Sequence, residues 1–131
     1  MFNLTLDKDS RKFWEAAKRN KLLIQRTINS NKFFLYSRGH SGATTEDNYE
    51  WVEASGLGEI YSFTICNIPG ASKYYLDKTP YVVAIINLQE KVRIMSNIIE
   101  KDQSNIRIGK KVQVIFQKLN EEITLPCFKL I

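Results

Sequence analysis

Hydrophobic and polar positions divide this chain into a mixed N-terminal third and a remainder patterned for β-structure. Trp51 to Cys66 reads as one long, bent strand. Ile60, Tyr61, Phe63, Thr64 and Ile65 suit a pleated, buried surface, and Gly56 and Gly58 supply the backbone freedom that a bend or bulge requires. Pro80 to Leu88 is a nearly continuous apolar run fit for a central strand. Lys91 to Ile98 alternates, with Val92, Ile94, Ser96 and Ile98 inward and Lys91, Arg93 and Met95 outward, and the Gln89-Glu90 connection is short enough for a hairpin. Lys111 to Leu119 alternates through Val112, Val114 and Phe116, and after Asn120-Glu121-Glu122 a last strand carries Ile123, Leu125, Phe128 and Leu130. Long connections fall at Asn67 to Thr79 and Ile99 to Lys110. Five strands of this kind, the first long and bent, predict a mainly β fold: a five-stranded OB-type barrel over residues 50–131, preceded by an appendage over residues 1–49.

Within the appendage, Asp7 to Asn20 has the pattern of a short helix. Asp7, Asp9 or Ser10 can cap its start, Phe13, Trp14 and Ala17 form an apolar patch at helical spacing, Lys18 and Arg19 favour its C-terminal dipole, and Asn20 can end it. A helix of about ten residues is unstable alone in water, so Phe13 and Trp14 must dock either on this protein's barrel or on a partner. Leu22 to Gln25 and Lys32 to Tyr36 read as short strands around a polar turn, and Ser37 to Asn48 as a loop.

Length and composition restrict what this arrangement can be. At 131 residues and 44% hydrophobic, the chain buries one ordinary core. No stretch approaches the roughly 18 apolar residues of a membrane span, and the N-terminus lacks the plan of a signal peptide, which leads to the expectation of a soluble, cytoplasmic protein. The two cysteines, Cys66 and Cys127, each sit among strand-like apolar residues and are expected to be buried free thiols. The only histidine, His40, has no neighbouring nucleophile in the sequence, so no catalytic set suggests itself. Net charge is +5, but Lys8 to Arg38 alone holds nine basic residues against Asp9 and Glu15, a local +7 that leaves −2 for the rest. Such a field favours an anionic partner: phosphate groups, nucleic acid or an acidic protein face.

The order of motifs resembles a known family. Phe13-Trp14-Glu15-Ala16-Ala17, Leu22-Leu23-Ile24-Gln25-Arg26, Phe34-Leu35-Tyr36-Ser37-Arg38, Glu50-Trp51-Val52-Glu53-Ala54-Ser55-Gly56-Leu57-Gly58, Tyr61-Ser62-Phe63-Thr64, Pro80-Tyr81-Val82-Val83-Ala84, Ile108-Gly109 and Leu125-Pro126-Cys127-Phe128 are similar to the acyl-CoA-associated OB-fold proteins. Those carry a rubredoxin-like zinc ribbon before the barrel. The resemblance implies a non-catalytic partner of a thiolase-like enzyme or acyl-CoA hydratase in lipid or polyketide metabolism, handling acyl-CoA or assembling the complex. On that reading Arg11, Phe13, Trp14, Lys18, Arg19, Arg26 and Arg38 are the residues expected to meet the partner or the phosphates of a coenzyme A thioester.

One departure from the family pattern changes the metal expectation. The positions of its two Cys-x-x-Cys pairs fall on Thr27 and Ser30, then on Ser41 and Thr44. Neutral hydroxyls do not replace thiolates around zinc, so no metal is expected, and the segment must be held by packing of Phe33, Phe34, Tyr36 and Tyr49 or by a partner. A nucleic-acid-binding OB module is the alternative reading, with Lys73, Tyr74, Tyr75, Tyr81, Lys91 and Arg93 as its stacking and phosphate contacts.

Overall fold

Helix α1 (Arg11–Lys18) is the first regular element of the computed structural model, which describes Leu6, Lys8 and residues 10–35, 49–68 and 77–131. The helix is shorter than the pattern from Asp7 to Asn20 suggested. Ser10 takes the N-cap position and its carbonyl accepts the Trp14 N–H at 3.2 Å, but its hydroxyl makes no capping bond; Asp7 and Asp9 lie outside the described residues. The C-terminus closes as expected at Asn20, whose φ of 61° is one that asparagine tolerates. Asn20 N–H bonds Ala17 O and Lys21 N–H bonds Ala16 O, each at 3.0 Å, so two otherwise orphaned helix carbonyls are satisfied. Ala16 and Ala17 are fully buried, and their small side chains let the helix lie against β1 (Leu23–Thr27), β7 (Lys111–Lys118) and β8 (Thr124–Leu130). Phe13 joins the edge of the main core, so the helix docks on its own protein through that residue.

A three-stranded antiparallel sheet follows, in the order β2-β1-β3, with β2 at Phe33–Phe34 and β3 at Tyr49–Glu53. Strand β3 corrects one expectation. Trp51 to Cys66 is not a single bent strand but two strands in different sheets: β3 pairs with β1, and β4 (Leu57–Cys66) opens the barrel. The change of sheet occurs at Ala54, Ser55 and Gly56. Ala54 N–H still bonds back to Leu22 O at 2.8 Å, whereas Gly56 O already accepts from Val114 N–H of β7 at 2.8 Å. Gly56 sits at φ 80°, and a Cβ there would lie 2.5 Å from Val114 Cγ1. Both the left-handed backbone and the close approach therefore demand glycine.

The barrel closes in the order β4-β5-β6-β8-β7, with β5 at Tyr81–Leu88 and β6 at Arg93–Ile98. All neighbours are antiparallel except β6 and β8, which meet in parallel through Ile98 and Phe128. This is the mainly β, five-stranded OB-fold that the alternation called for. Alternating Val82, Ala84, Ile86 and Leu88 point inward with Ile60, Ile94, Ile98, Val112 and Phe128, and Leu22 and Ile24 from the first sheet complete the same cluster. The bulge in β4 falls at Tyr61, between the Ile60 and Ser62 pairings, rather than at the glycines. Gly58 instead marks a close approach, since a Cβ there would sit 2.6 Å from Asn87 O.

The hairpin between β5 and β6 turns at Gln89–Lys91, with Leu88 N–H bonded to Val92 O at 2.8 Å. Its Glu90 carboxylate accepts the Ser55 N–H at 2.8 Å, tying the hairpin to the junction between the two sheets.

Candidate partner-binding surface

The basic residues of the N-terminal third are sorted by the helix. With Ala16 and Ala17 turned inward, the 3.6-residue period leaves Arg11, Lys12, Glu15, Lys18 and Arg19 exposed, and Lys8 and Lys21 extend the same region. None of these six cations forms an ion pair with a described residue. Trp14 is half-buried and meets Phe13 edge to face with ring centroids 5.1 Å apart. Of the residues proposed from sequence, Arg11, Phe13, Trp14, Lys18 and Arg19 thus share one short helix and its C-cap, with Phe13 packed against the core and Trp14 half-buried.

Arg26 lies apart from them. Strand register sets it opposite Glu50, and its guanidinium donates to the Glu50 carboxylate through Nε at 3.0 Å and through Nη2 to the same oxygen. Its charge is matched within the sheet. Arg38 lies outside the described residues, as do Ser41, Thr44 and His40. The sequence reading passed over a pocket of about 490 Å³ beside the helix N-terminus, lined by Lys8, Lys12, Tyr49, Glu50 and Trp51. The Lys8 and Lys12 spacing of four was visible in the sequence; that β3 brings Trp51 alongside them was not, because the pairing of β3 with β1 is a long-range contact.

Thr27 and Ser30 stand at two positions where the resemblance puts zinc ligands. Thr27 Oγ1 lies 2.5 Å from Ser30 Oγ and accepts the Lys32 N–H at 2.9 Å, while Thr27 N–H bonds Lys32 O at 2.9 Å and Asn31 N–H bonds Thr27 O at 3.0 Å. Asn31 at φ 55° completes a tight turn. The hydroxyls spend their hydrogen bonds on each other and on the backbone. These donors do not suit zinc, which takes deprotonated thiolate or imidazole ligands. No cluster of three or more His, Cys, Asp or Glu occurs among the described residues.

The two cysteines differ in burial. Cys127 is buried, as expected, and desolvation pushes its thiol up to about 11. Its Sγ lies 3.8 Å from the Gln117 side-chain oxygen. Cys66 is half-buried rather than buried, because it lies on the outer face of β4 opposite Tyr81. The contacts of the nucleic-acid reading also separate: Lys91 and Arg93 line one end of the barrel, Tyr81 lines a different pocket near Asn97 and Gln103, and residues 73–75 lie outside the described residues. No helix among the described residues is long and apolar enough to cross a membrane.

An OB barrel carrying a ribbon-like appendage defines the class, and the comparisons with known proteins narrow it. Residues 51–117 match the family described as "ChsH2, C-terminal OB-fold domain". The chain belongs to this family of acyl-CoA-associated OB-fold proteins. It is 31% identical over 130 residues to the "Probable enoyl-CoA hydratase alpha subunit" of Thermomonospora curvata, covering 95% of this chain and 38% of that one. It is 40% identical over 73 residues to a "DUF35 domain-containing scaffold protein" of Methanothermobacter thermautotrophicus, covering 56% and 53%. The chain therefore spans about half or less of the length of these curated relatives. Among solved structures it superposes on a chain of the "Ltp2-ChsH2(DUF35) aldolase" with a TM-score of 0.83 and 28% identity over 98% of each chain. A DUF35 protein of unknown function from Sulfolobus solfataricus shares the fold, at a TM-score of 0.65 and 15% identity.

Proposed function

We propose that this protein is a non-catalytic accessory subunit of a cytoplasmic acyl-CoA-handling complex whose catalytic partner is a thiolase-like enzyme or an acyl-CoA hydratase. The observation that carries this reading is the end-to-end likeness to the DUF35 chain of the Ltp2-ChsH2(DUF35) aldolase, at 28% identity over 98% of both chains. The chemistry of the described residues fits it: Cys127 is buried with its Sγ beside the Gln117 side-chain oxygen, and no group of three or more His, Cys, Asp or Glu occurs among the described residues. Helix α1 provides the contact: Arg11, Lys18 and Arg19 offer positive charge to an acidic face of the partner, with Trp14 as the apolar anchor. Trp and Arg are over-represented among such anchors. Lys8 and Lys12 beside Trp51 form a pocket of about 490 Å³ suited to the phosphates and adenine of a coenzyme A thioester.

Co-expression with a thiolase-like partner tests the reading. A stable complex is expected on size-exclusion chromatography, with acyl-CoA turnover by the complex and none by the isolated chain. Trp14→Ala should weaken association by about 2 kcal/mol or more while the barrel stays folded, and charge reversal at Arg11, Lys18 and Arg19 should chiefly slow association and reduce its salt sensitivity. Acyl-CoA turnover by the isolated chain would overturn the proposal. A lower melting temperature for Trp14→Ala with unchanged capture of the partner would remove the helix from the interface.

A further inference from the structure

Strand register assembles a second surface on the barrel, in the part of the sequence outside the basic N-terminal third. Glu59 on β4 is directly opposite Lys111 on β7 and Asn87 on β5, and Asn87 is opposite Arg93 on β6. Residues directly opposite share a face, so Lys111, Glu59, Asn87 and Arg93 form one outward rank across four strands. The rank lies in a groove of about 880 Å³ bordered by Leu57, Ile131 and Lys91. Three cations and one carboxylate give it local positive charge. Arg93 is held in place: its guanidinium stacks 3.8 Å above the Tyr61 ring and its Nε donates to Asn87 Oδ1 at 3.3 Å. Lys111 is steadied by Glu59 at 3.1 Å. Lys91 sits at φ 66° at the hairpin tip, where Gly or Asn would be less strained, and its ammonium pairs with no described residue.

We infer that this groove receives an acidic, extended segment of the catalytic partner's polypeptide, an inference that rests on the reading of the chain as a subunit. Along the sheet through β4 and β5, the two cationic ends of the rank are three strand spacings apart, roughly 14 Å of surface, which an extended chain crosses in about four residues. Carboxylates four residues apart project from the same side of such a segment and reach Arg93 and Lys111 together, and an apolar residue midway between them, on that same side, meets the exposed Leu57 and Ile131. A single phosphate would need donors converging on one point, and these cations stand at opposite ends. A nucleic-acid strand would need free aromatic faces; Tyr61, the aromatic beside the groove, has a face covered by Arg93.

The test measures hydrogen exchange of the full chain alone and in the co-expressed complex, then the affinity of groove variants for the partner. Protection at β4–β6 around Glu59, Asn87 and Arg93 is expected, with a Kd at least tenfold weaker for Arg93→Glu. Lys91→Asn should raise the melting temperature, by relieving the hairpin backbone, and still weaken binding, an opposite pair of changes that a merely structural lysine would not give. An unprotected groove, or unchanged affinity for Arg93→Glu, overturns the inference even if the complex forms. If no complex forms, the subunit reading fails instead, and the groove is judged by titrating the isolated chain with a synthetic Glu-Ser-Leu-Ser-Glu peptide, coenzyme A and a single-stranded oligonucleotide. Peptide binding that is lost in Arg93→Glu supports the groove; no peptide binding, or displacement by either of the other probes, overturns it.

Discussion

Thr27→Val isolates what the hydroxyl pair contributes in place of a metal. The substitution keeps the β-branched shape at a fully buried position and removes only Oγ1. Three interactions are lost: acceptance of the Lys32 N–H at 2.9 Å, the contact with Ser30 Oγ at 2.5 Å and a long donation to Lys32 O at 3.5 Å. The backbone bonds between Thr27 and Lys32 and between Asn31 and Thr27 remain, so the turn should survive in weakened form. Ser30 and Lys32 are exposed, and Ser30 Oγ recovers water, which places the loss near the lower part of the range for an orphaned donor, about 1–2 kcal/mol. For a chain of this size that corresponds to a fall in melting temperature of roughly 3–8 °C. A double-mutant cycle with Ser30→Ala, followed by calorimetry, measures the pair directly and should give a coupling of about 0.5–1 kcal/mol. Thr27→Val melting within about a degree of the parent, with no coupling to Ser30→Ala, would show that the hydroxyls do not hold this turn.

Elemental analysis of the purified protein should find no zinc, and Thr27→Cys, Ser30→Cys, Ser41→Cys and Thr44→Cys together should create a zinc site if the turns have kept a ribbon's shape; about one zinc per parent chain would refute the first statement. Gly56→Ala should destabilise by about 2–4 kcal/mol in a denaturant titration, because it adds left-handed strain to a Cβ only 2.5 Å from Val114 Cγ1, and a neutral result would mean the junction can relax. Cys127 should resist alkylation in the native state at pH 8 while half-buried Cys66 reacts, as mass spectrometry of the labelled chain would show. Because burial raises the Cys127 thiol from 9.0 to about 11, its contribution to stability is intact below pH 9 and is lost as pH rises toward 11; Cys127→Ala should flatten that part of the stability profile.

The strands of the barrel were legible in the sequence. The apolar run from Pro80 to Leu88 and the alternation in β6 and β7 mark buried strands, and five such strands in series suit an OB-type barrel. Asn20 likewise announced the helix end, because a left-handed cap depends on local chemistry. The junction at Ala54–Gly56 was not legible. A run of strand-forming residues with two glycines is compatible with a bend or with a change of sheet, and only the contacts of Ala54 with Leu22 and of Gly56 with Val114, 32 and 58 residues apart, decide between them. Sequence also counted the cations without saying which were free. The long-range register opposite Glu50 engaged Arg26, and the outward rank from Lys111 to Arg93 exists only because β7, β4, β5 and β6 close side by side. Local propensity and period act over a few residues; pairing across strands is settled by packing of the whole core, and that is where the surfaces of this protein are made.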